Sequence, residues 1–127
     1  MEAQKPQFAP GLQLVQAYRA GGFTIGGSRH VGSVLVLPDR VLPWAITAPE
    51  ALDEAAFATL RALEPEPEIL VVGTGAEFVL LPAALRQAVR AWGPVIEAMA
   101  TPAGCRTFNL LLAEGRRVAA ALIALPG

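Results

Sequence analysis

Four apolar residues in a row, Ile69-Leu70-Val71-Val72, stop abruptly at Gly73-Thr74-Gly75. An uninterrupted run of this length, closed by glycines, suits a strand covered on both faces, since a half-exposed strand alternates apolar with polar residues. Such a strand needs layers above and below it, and the residues that follow supply them. Pro82 to Trp92 places Leu85, Val89 and Trp92 at helical spacing and is stopped by Gly93-Pro94. Val95 to Met99 reads as the next short strand. Thr101-Pro102 is a cap-then-proline signal that opens a helix to Glu114, with Gly115 as its stop. Arg117 to Leu125 is the last strand. The C-terminal half is therefore strand–helix–strand–helix–strand, and the crossover from Ile69 to Val95 is expected to be parallel and right-handed. Periodicity leaves the direction of the last strand open.

The first third has a different style. Leu12 to Tyr18 partly alternates, Gly21-Gly22 marks a turn, and Phe23-Thr24-Ile25 is a second short strand. Gly26-Gly27-Ser28 marks another turn, and Val31 to Leu37 is β-branched and ends at Pro38. These read as antiparallel strands joined by tight glycine turns. Trp44-Ala45-Ile46 is a further short strand, with Pro43 hinting at a sheet edge. Thr47-Ala48-Pro49-Glu50 has capping-box spacing and predicts a helix carrying Leu52, Ala56, Phe57, Leu60 and Leu63 inward, ended by Pro65 and Pro67. No repeat or linker divides the chain. It reads as one α/β domain over residues 12–127 after a tail over residues 1–11.

Composition narrows function more than fold. Ten basic residues against eleven acidic give a net charge of −1, and Arg116-Arg117 is the only adjacent basic pair, so no basic stripe suggests nucleic acid. One cysteine and one histidine preclude an intrachain disulfide and a cysteine- or histidine-rich metal site. The longest terminal apolar stretch, Val118 to Leu125, falls far short of the roughly twenty residues of a membrane span. The N-terminus lacks a signal-peptide pattern, so a reducing cytoplasm is the expected compartment. Apolar residues make up 54% of the chain, an excess that alanine and a surface buried against a partner can both explain.

If a site exists, it is expected beyond the C-terminal ends of the parallel strands, where loops converge. The candidate binding surface comprises Gly73, Thr74, Gly75, Thr101, Cys105, Arg106, Asn109 and Arg116. Backbone amides at Gly73-Thr74-Gly75 and after Thr101 could form an anion cradle. Each residue also has a purely architectural reading. Gly73-Thr74-Gly75 lacks the third glycine of a dinucleotide fingerprint and the Gly-Lys-Ser/Thr of a phosphate loop, and a tight turn explains it. Cys105, one turn into a helix beside Arg106, is either a reactive thiolate or a small buried side chain with no base nearby. Asn109 either satisfies buried backbone groups or binds a ligand. Glu114 and Arg116 flank the Gly115 turn as a surface pair, and His30 sits in a glycine-rich turn facing solvent. No catalytic residue, metal ligand or cofactor-binding residue is assigned.

The ordered set Glu68 to Gly75, Ala103 to Asn109, Glu114-Gly115-Arg116 and Val118 to Ile123, with Tyr18, Phe23 to Gly26, Gly32 to Val36 and Trp44, resembles a bacterial and archaeal domain family of unknown function. That family includes assembly factor 3 of mitochondrial NADH:ubiquinone oxidoreductase (complex I). The resemblance runs from about Leu12 to Ile123. It implies a three-layer α/β sandwich with a central mixed sheet, flanking helices and an additional N-terminal antiparallel β layer. It also implies no established enzymatic activity, no cofactor, and a role through protein contacts. Phe108 stands where the family often has tyrosine, which removes a hydroxyl from that face.

Two functions follow as expectations. One is a non-catalytic protein-interaction or assembly-factor-like module acting on protein partners or as a homo-oligomer. The other is a small-molecule or anion-binding domain, with or without enzymatic activity, with its site near Gly73–Gly75 and Thr101–Asn109.

Overall fold

The computed structural model describes residues 12–127, and the tail expected over residues 1–11 lies outside them. Among the described residues eight strands form two sheets. β1 (Val15–Arg19), β2 (Gly22–Ile25) and β3 (Ser28–Val31) make an antiparallel meander in that order. β4 (Val34–Val36), β5 (Val41–Pro43), β6 (Ile69–Gly73), β7 (Val95–Met99) and β8 (Val118–Leu122) form a five-stranded mixed sheet ordered β5-β4-β8-β6-β7. β8 is parallel to β6 and antiparallel to β4, which settles the direction that periodicity left open.

The apolar run at Ile69 is the middle of this sheet, and its two faces have separate cores. One face, with Leu70, Val72, Ala119 and Ala121, packs beneath α2 (Ala83–Trp92) and the segment carrying Phe57 and Leu60. The other, with Val71, Ala120 and Leu122, packs beneath α3 (Thr101–Ala113) and the meander residues Val15, Phe23 and Ile25. From β6 the chain crosses to β7 through α2. It then returns past β6 to β8 through α3. Reversing the direction of travel while keeping the hand of the crossover puts the second helix on the opposite face. The result is three layers, with the meander and α3 sharing an outer one. β8 is buried throughout, and its Ala119-Ala120-Ala121 core lets layers approach closely from both sides.

Local chemistry accounts for the joints. The β2–β3 loop is Gly26-Gly27 with φ of +57° and +86°, the doubly positive pair that a two-residue type I′ turn requires. α3 ends at Gly115 with φ +77°. The Arg116 N–H donates to the Leu111 carbonyl at 3.1 Å and the Gly115 N–H to Leu112 at 3.0 Å, which is a Schellman stop.

Several expected elements differ. Val31 to Leu37 is split into β3 and β4, because the chain changes sheets at Gly32, whose φ is +85°. His30 accordingly lies within β3, half-buried, and not in a turn. The strand expected at Trp44–Ile46 forms earlier, at Val41–Pro43. Trp44 instead packs on Phe57, ring centroids 6.0 Å apart, and donates its indole N–H to the Ala56 carbonyl at 2.9 Å. The helix expected from Thr47 is two 3₁₀ turns, Pro49–Ala51 and Glu54–Phe57, followed by a single turn α1 (Ala58–Arg61). Thr47 makes no cap. Asp53 takes that role four residues after Pro49, accepting the Ala56 N–H at 3.0 Å, and so restarts the helix instead of letting it run. The inward stripe survives this: Phe57 and Leu60 are fully buried.

Candidate functional site

The C-terminal ends of β6, β7 and β8 meet where the sequence placed a site, and a network of polar groups joins them. Thr101 is fully buried. Its hydroxyl accepts the Gly75 N–H at 2.9 Å and donates to the Ile123 carbonyl at 2.7 Å, tying the exits of β6 and β8 to the start of α3. The expected capping role of Thr101 gives way to this tie, and Ala100 occupies the cap position without a side-chain bond. Thr74 is also buried. Its hydroxyl accepts the Val79 N–H at 3.1 Å and lies 2.7 Å from the Glu77 carbonyl and 3.2 Å from that of Met99. Gly73 leaves no room for a side chain: a Cβ there would lie 2.7 Å from Thr101 Oγ1 and 3.0 Å from Leu122 Cδ2. Gly75 has φ +102°, a left-handed conformation that its lack of Cβ permits.

Four of the amides expected to cradle an anion are thus engaged. Thr74 N–H donates to Met99 O, Gly75 N–H to Thr101 Oγ1, Thr101 N–H to Gly75 O and Gly104 N–H to Ala100 O. None of these donors points at an open site. Cys105 is buried, and desolvation pushes its thiol up to about 12, against the opposing pull of Arg106. A thiol with that affinity for its proton is no nucleophile near neutral pH. Arg106 itself is exposed.

Asn109 has the architectural role foreseen among its alternatives. Its Oδ1 accepts the Val15 N–H at 2.8 Å and its Nδ2 donates to the Val15 carbonyl at 2.8 Å. β1 is the edge of the meander, so this amide supplies the bonds a neighbouring strand would have made and docks the meander on α3. Phe108 is fully buried in the same core, where a tyrosine hydroxyl would need a partner.

Arg116 is at the other end of the molecule. It pairs with Glu68 at 2.5 Å and not with Glu114 as the sequence suggested, because the Schellman turn carries it to the entrance of β6. Each partner stabilises the other's charge, lowering the Glu68 pKa and raising that of Arg116, chiefly through the hydrogen bond between them. The eight residues grouped as one surface therefore do not form one exposed face, although Gly73, Thr74, Gly75 and Thr101 meet at the strand ends. Gly73, Thr74, Gly75, Thr101 and Cys105 are interior, Asn109 is committed to β1, and Arg106 and Arg116 face solvent at separate places.

Two concavities among the described residues lie at the opposite end of the sheet, where the parallel strands begin. One, of about 520 Å³, has a floor of Leu12, Leu37, Leu63, Leu112 and Val118 and a mouth bearing Arg40, Arg116 and Arg117. Another, of about 540 Å³, is polar and runs between Glu66, Glu68, Arg90 and Arg117. The sequence reading missed both, since they depend on loops from distant parts of the chain. Among the described residues, no group of three or more histidine, cysteine, aspartate or glutamate side chains is placed to hold a metal ion.

The family described as "Protein of unknown function (DUF498/DUF598)" matches residues 15–123, from the first residue of β1 to the residue after β8. The chain belongs to this family. It is 40% identical over 118 residues to the NADH dehydrogenase [ubiquinone] 1 alpha subcomplex assembly factor 3 of Rattus norvegicus, covering 93% of this chain and 64% of that one. The chain thus spans a little under two thirds of that curated relative. An uncharacterised protein of Rhodobacter capsulatus is 37% identical over 127 residues, covering 100% of this chain and 96% of its own. A solution structure from Bordetella pertussis, described as a Mth938-like domain, superimposes with a TM-score of 0.79 at 31% identity, covering 97% of this chain and 92% of that one. The DUF498/DUF598 membership and this superposition agree with the resemblance and the three-layer architecture expected from the sequence. Among the described residues no helix is long and apolar enough to cross a membrane.

Proposed function

We propose that this DUF498/DUF598 domain is a non-catalytic protein-interaction module of the assembly-factor kind, working in the cytoplasm on protein partners. The observation that carries this reading is its 40% identity, over 93% of its length, to a complex I assembly factor. The strand ends support it. Polar side chains that would have to converge on a substrate are bonded to the protein's own backbone, so the domain offers outer surfaces instead of a reaction centre. Nothing in its charge favours a nucleic-acid partner.

The test is deletion of the gene from its host, followed by native gel electrophoresis of the membranes and assay of NADH:quinone oxidoreductase activity. The expected result is loss of the assembled respiratory enzyme with its subunits still synthesised, restored by the wild-type gene. Normal amounts of assembled enzyme in the deletion strain would refute the assembly role.

A further inference from the structure

The backbone of the two sheets offers four edges, and they are not equivalent. At β1, Asn109 takes up the outward groups of Val15. At β5, the bonds Trp44 N–H to Ser33 O and Leu37 N–H to Arg40 O fix which residues turn inward, leaving Val41 and Pro43 outward. Proline has no N–H, so that edge offers one amide. β3 turns Arg29 and Val31 outward on a strand whose other side chains are polar. β7 is the longest free edge in the five-stranded sheet. Val95 N–H donates to Glu68 O at 3.0 Å, and Thr74 N–H donates to Met99 O at 2.8 Å. In a parallel ladder this parity turns Val95, Glu97 and Met99 toward β6, and the N–H and C=O of Ile96 and Ala98 away from it.

Exposed apolar side chains lie at both ends of this strand. Val95 is 45% exposed at its start. At its end, the loop bonded to the Met99 carbonyl through Thr74 presents Phe78 at 55% and Leu80 at 72% exposure. The buried Thr74 hydroxyl fixes that loop through Val79 and Glu77, so the side chains are displayed by an ordered backbone. Preorganised apolar anchors are what a binding surface needs.

Glu97 decides the occupant. It is exposed at the centre of β7 and makes no ion pair among the described residues. A second copy pairing antiparallel in the full-length register would put Glu97 opposite its own counterpart, and like charges directly opposed destabilise a strand pair. A cationic residue at that place reverses the sign.

The geometry points to β7 as a strand-addition site. It accepts an extended segment of a partner polypeptide that carries a basic residue opposite Glu97 and apolar side chains against Phe78 and Leu80. This rests on the interaction-module reading and names its surface.

The test titrates the ¹⁵N-labelled full-length protein with a heptapeptide alternating threonine and valine about a central lysine, and with its glutamate-centred counterpart. Amide shifts are expected at Ile96, Ala98 and the Phe78–Leu80 loop, with the lysine peptide bound roughly tenfold more tightly. Glu97→Lys should invert that preference. Ala98→Pro should abolish binding, since it removes an outward N–H that β6 does not use. Should that variant fail to fold, the Glu97→Lys inversion decides alone. No shifts up to about 1 mM peptide, equal binding of both peptides, or shifts confined to another surface would overturn the proposal. Concentration-dependent shifts at Ile96 and Ala98 without peptide would give the edge to a second copy and also overturn it. A folded Ala98→Pro variant that restores assembly in the deletion strain overturns the surface alone. A deletion without effect overturns the module reading and leaves the peptide result untouched.

Discussion

Asn109 is the residue whose removal tests the architecture most directly. Its side-chain amide makes two bonds of 2.8 Å to the backbone of Val15, one in each direction, at a half-buried seam between α3 and the meander. Asn109→Ala leaves an N–H and a C=O with no partner where water has limited access. Each such group costs about 1–2 kcal/mol, so the pair amounts to about 2–4 kcal/mol. With an unfolding entropy of about 2 cal/mol/K per residue, that lowers Tm by roughly 10 °C. Asn109→Asp separates the two bonds. An ionised carboxylate still accepts from Val15 N–H but sets a charged oxygen against the Val15 carbonyl. A protonated carboxyl donates to that carbonyl and restores both bonds. The introduced group therefore has a folded-state pKa above its unfolded value, and its stabilising contribution is complete below pH ~4 and lost as pH rises. Thermal melts of the wild type and both variants at pH 4 and pH 7 measure this. The aspartate deficit should be smaller at pH 4. A Tm for Asn109→Ala within about 2 °C of wild type, or an aspartate deficit independent of pH, would refute the reasoning.

Three further outcomes follow from the same structure. Cys105 should resist a thiol reagent in the native protein and react at the rate of the free thiol only in denaturant. Because its folded pKa is raised to about 12 from 9.0, its contribution to stability is complete below pH 9 and lost as pH climbs from 9 toward 12, which chemical denaturation at pH 7 and pH 10 would register. Thr101→Val keeps the shape but strands the Gly75 N–H and Ile123 C=O in the interior, and should cost about 2–4 kcal/mol by urea denaturation, whereas Thr101→Ser should retain most of the stability. Glu68→Gln removes the ion pair with Arg116 on the surface and should leave the unfolding midpoint essentially unmoved at moderate salt.

What the sequence made legible is what local pattern controls. The run at Ile69, the stripe Leu85–Val89 and the stop at Gly115 each depend on residues within one element, and each forms as the pattern indicates. The failures share a different cause. Thr47 has capping-box spacing, but Asp53 competes for the helix start and Trp44 reaches across the chain to bond Ala56. Val31 to Leu37 reads as one strand because β-branched residues suit either sheet, and nothing local says that Gly32 transfers the chain between them. The candidate site is ambiguous for the same reason. Thr74, Thr101 and Asn109 are polar residues on apolar elements, which is the signature of a ligand contact and equally of a buried backbone needing partners. Only tertiary positions distinguish the two: Asn109 and Val15 are 94 residues apart in sequence.

The apolar excess of 54% then takes on a different meaning. With a five-stranded sheet covered on both faces, the domain has two cores to fill, and β8 alone puts five buried apolar residues between them. Layering of this kind demands a high apolar content from a small chain whether or not a partner exists, so composition by itself is no evidence of an interface. Placement is. Among the described residues the exposed large apolar side chains are Tyr18, Val31, Phe78, Leu80, Val95 and Leu110, and three of them lie on β7 or on the loop tied to its C-terminal end, at an edge strand whose outward amides have no partner among the described residues. Isolated exposed apolar residues need no explanation, but three at the two ends of one edge strand, two of them on a loop held by a buried hydroxyl, are an arrangement that the interior does not require. The case for a partner surface therefore rests on β7 and its flanking loop, and would stand unchanged if every alanine in the core were discounted.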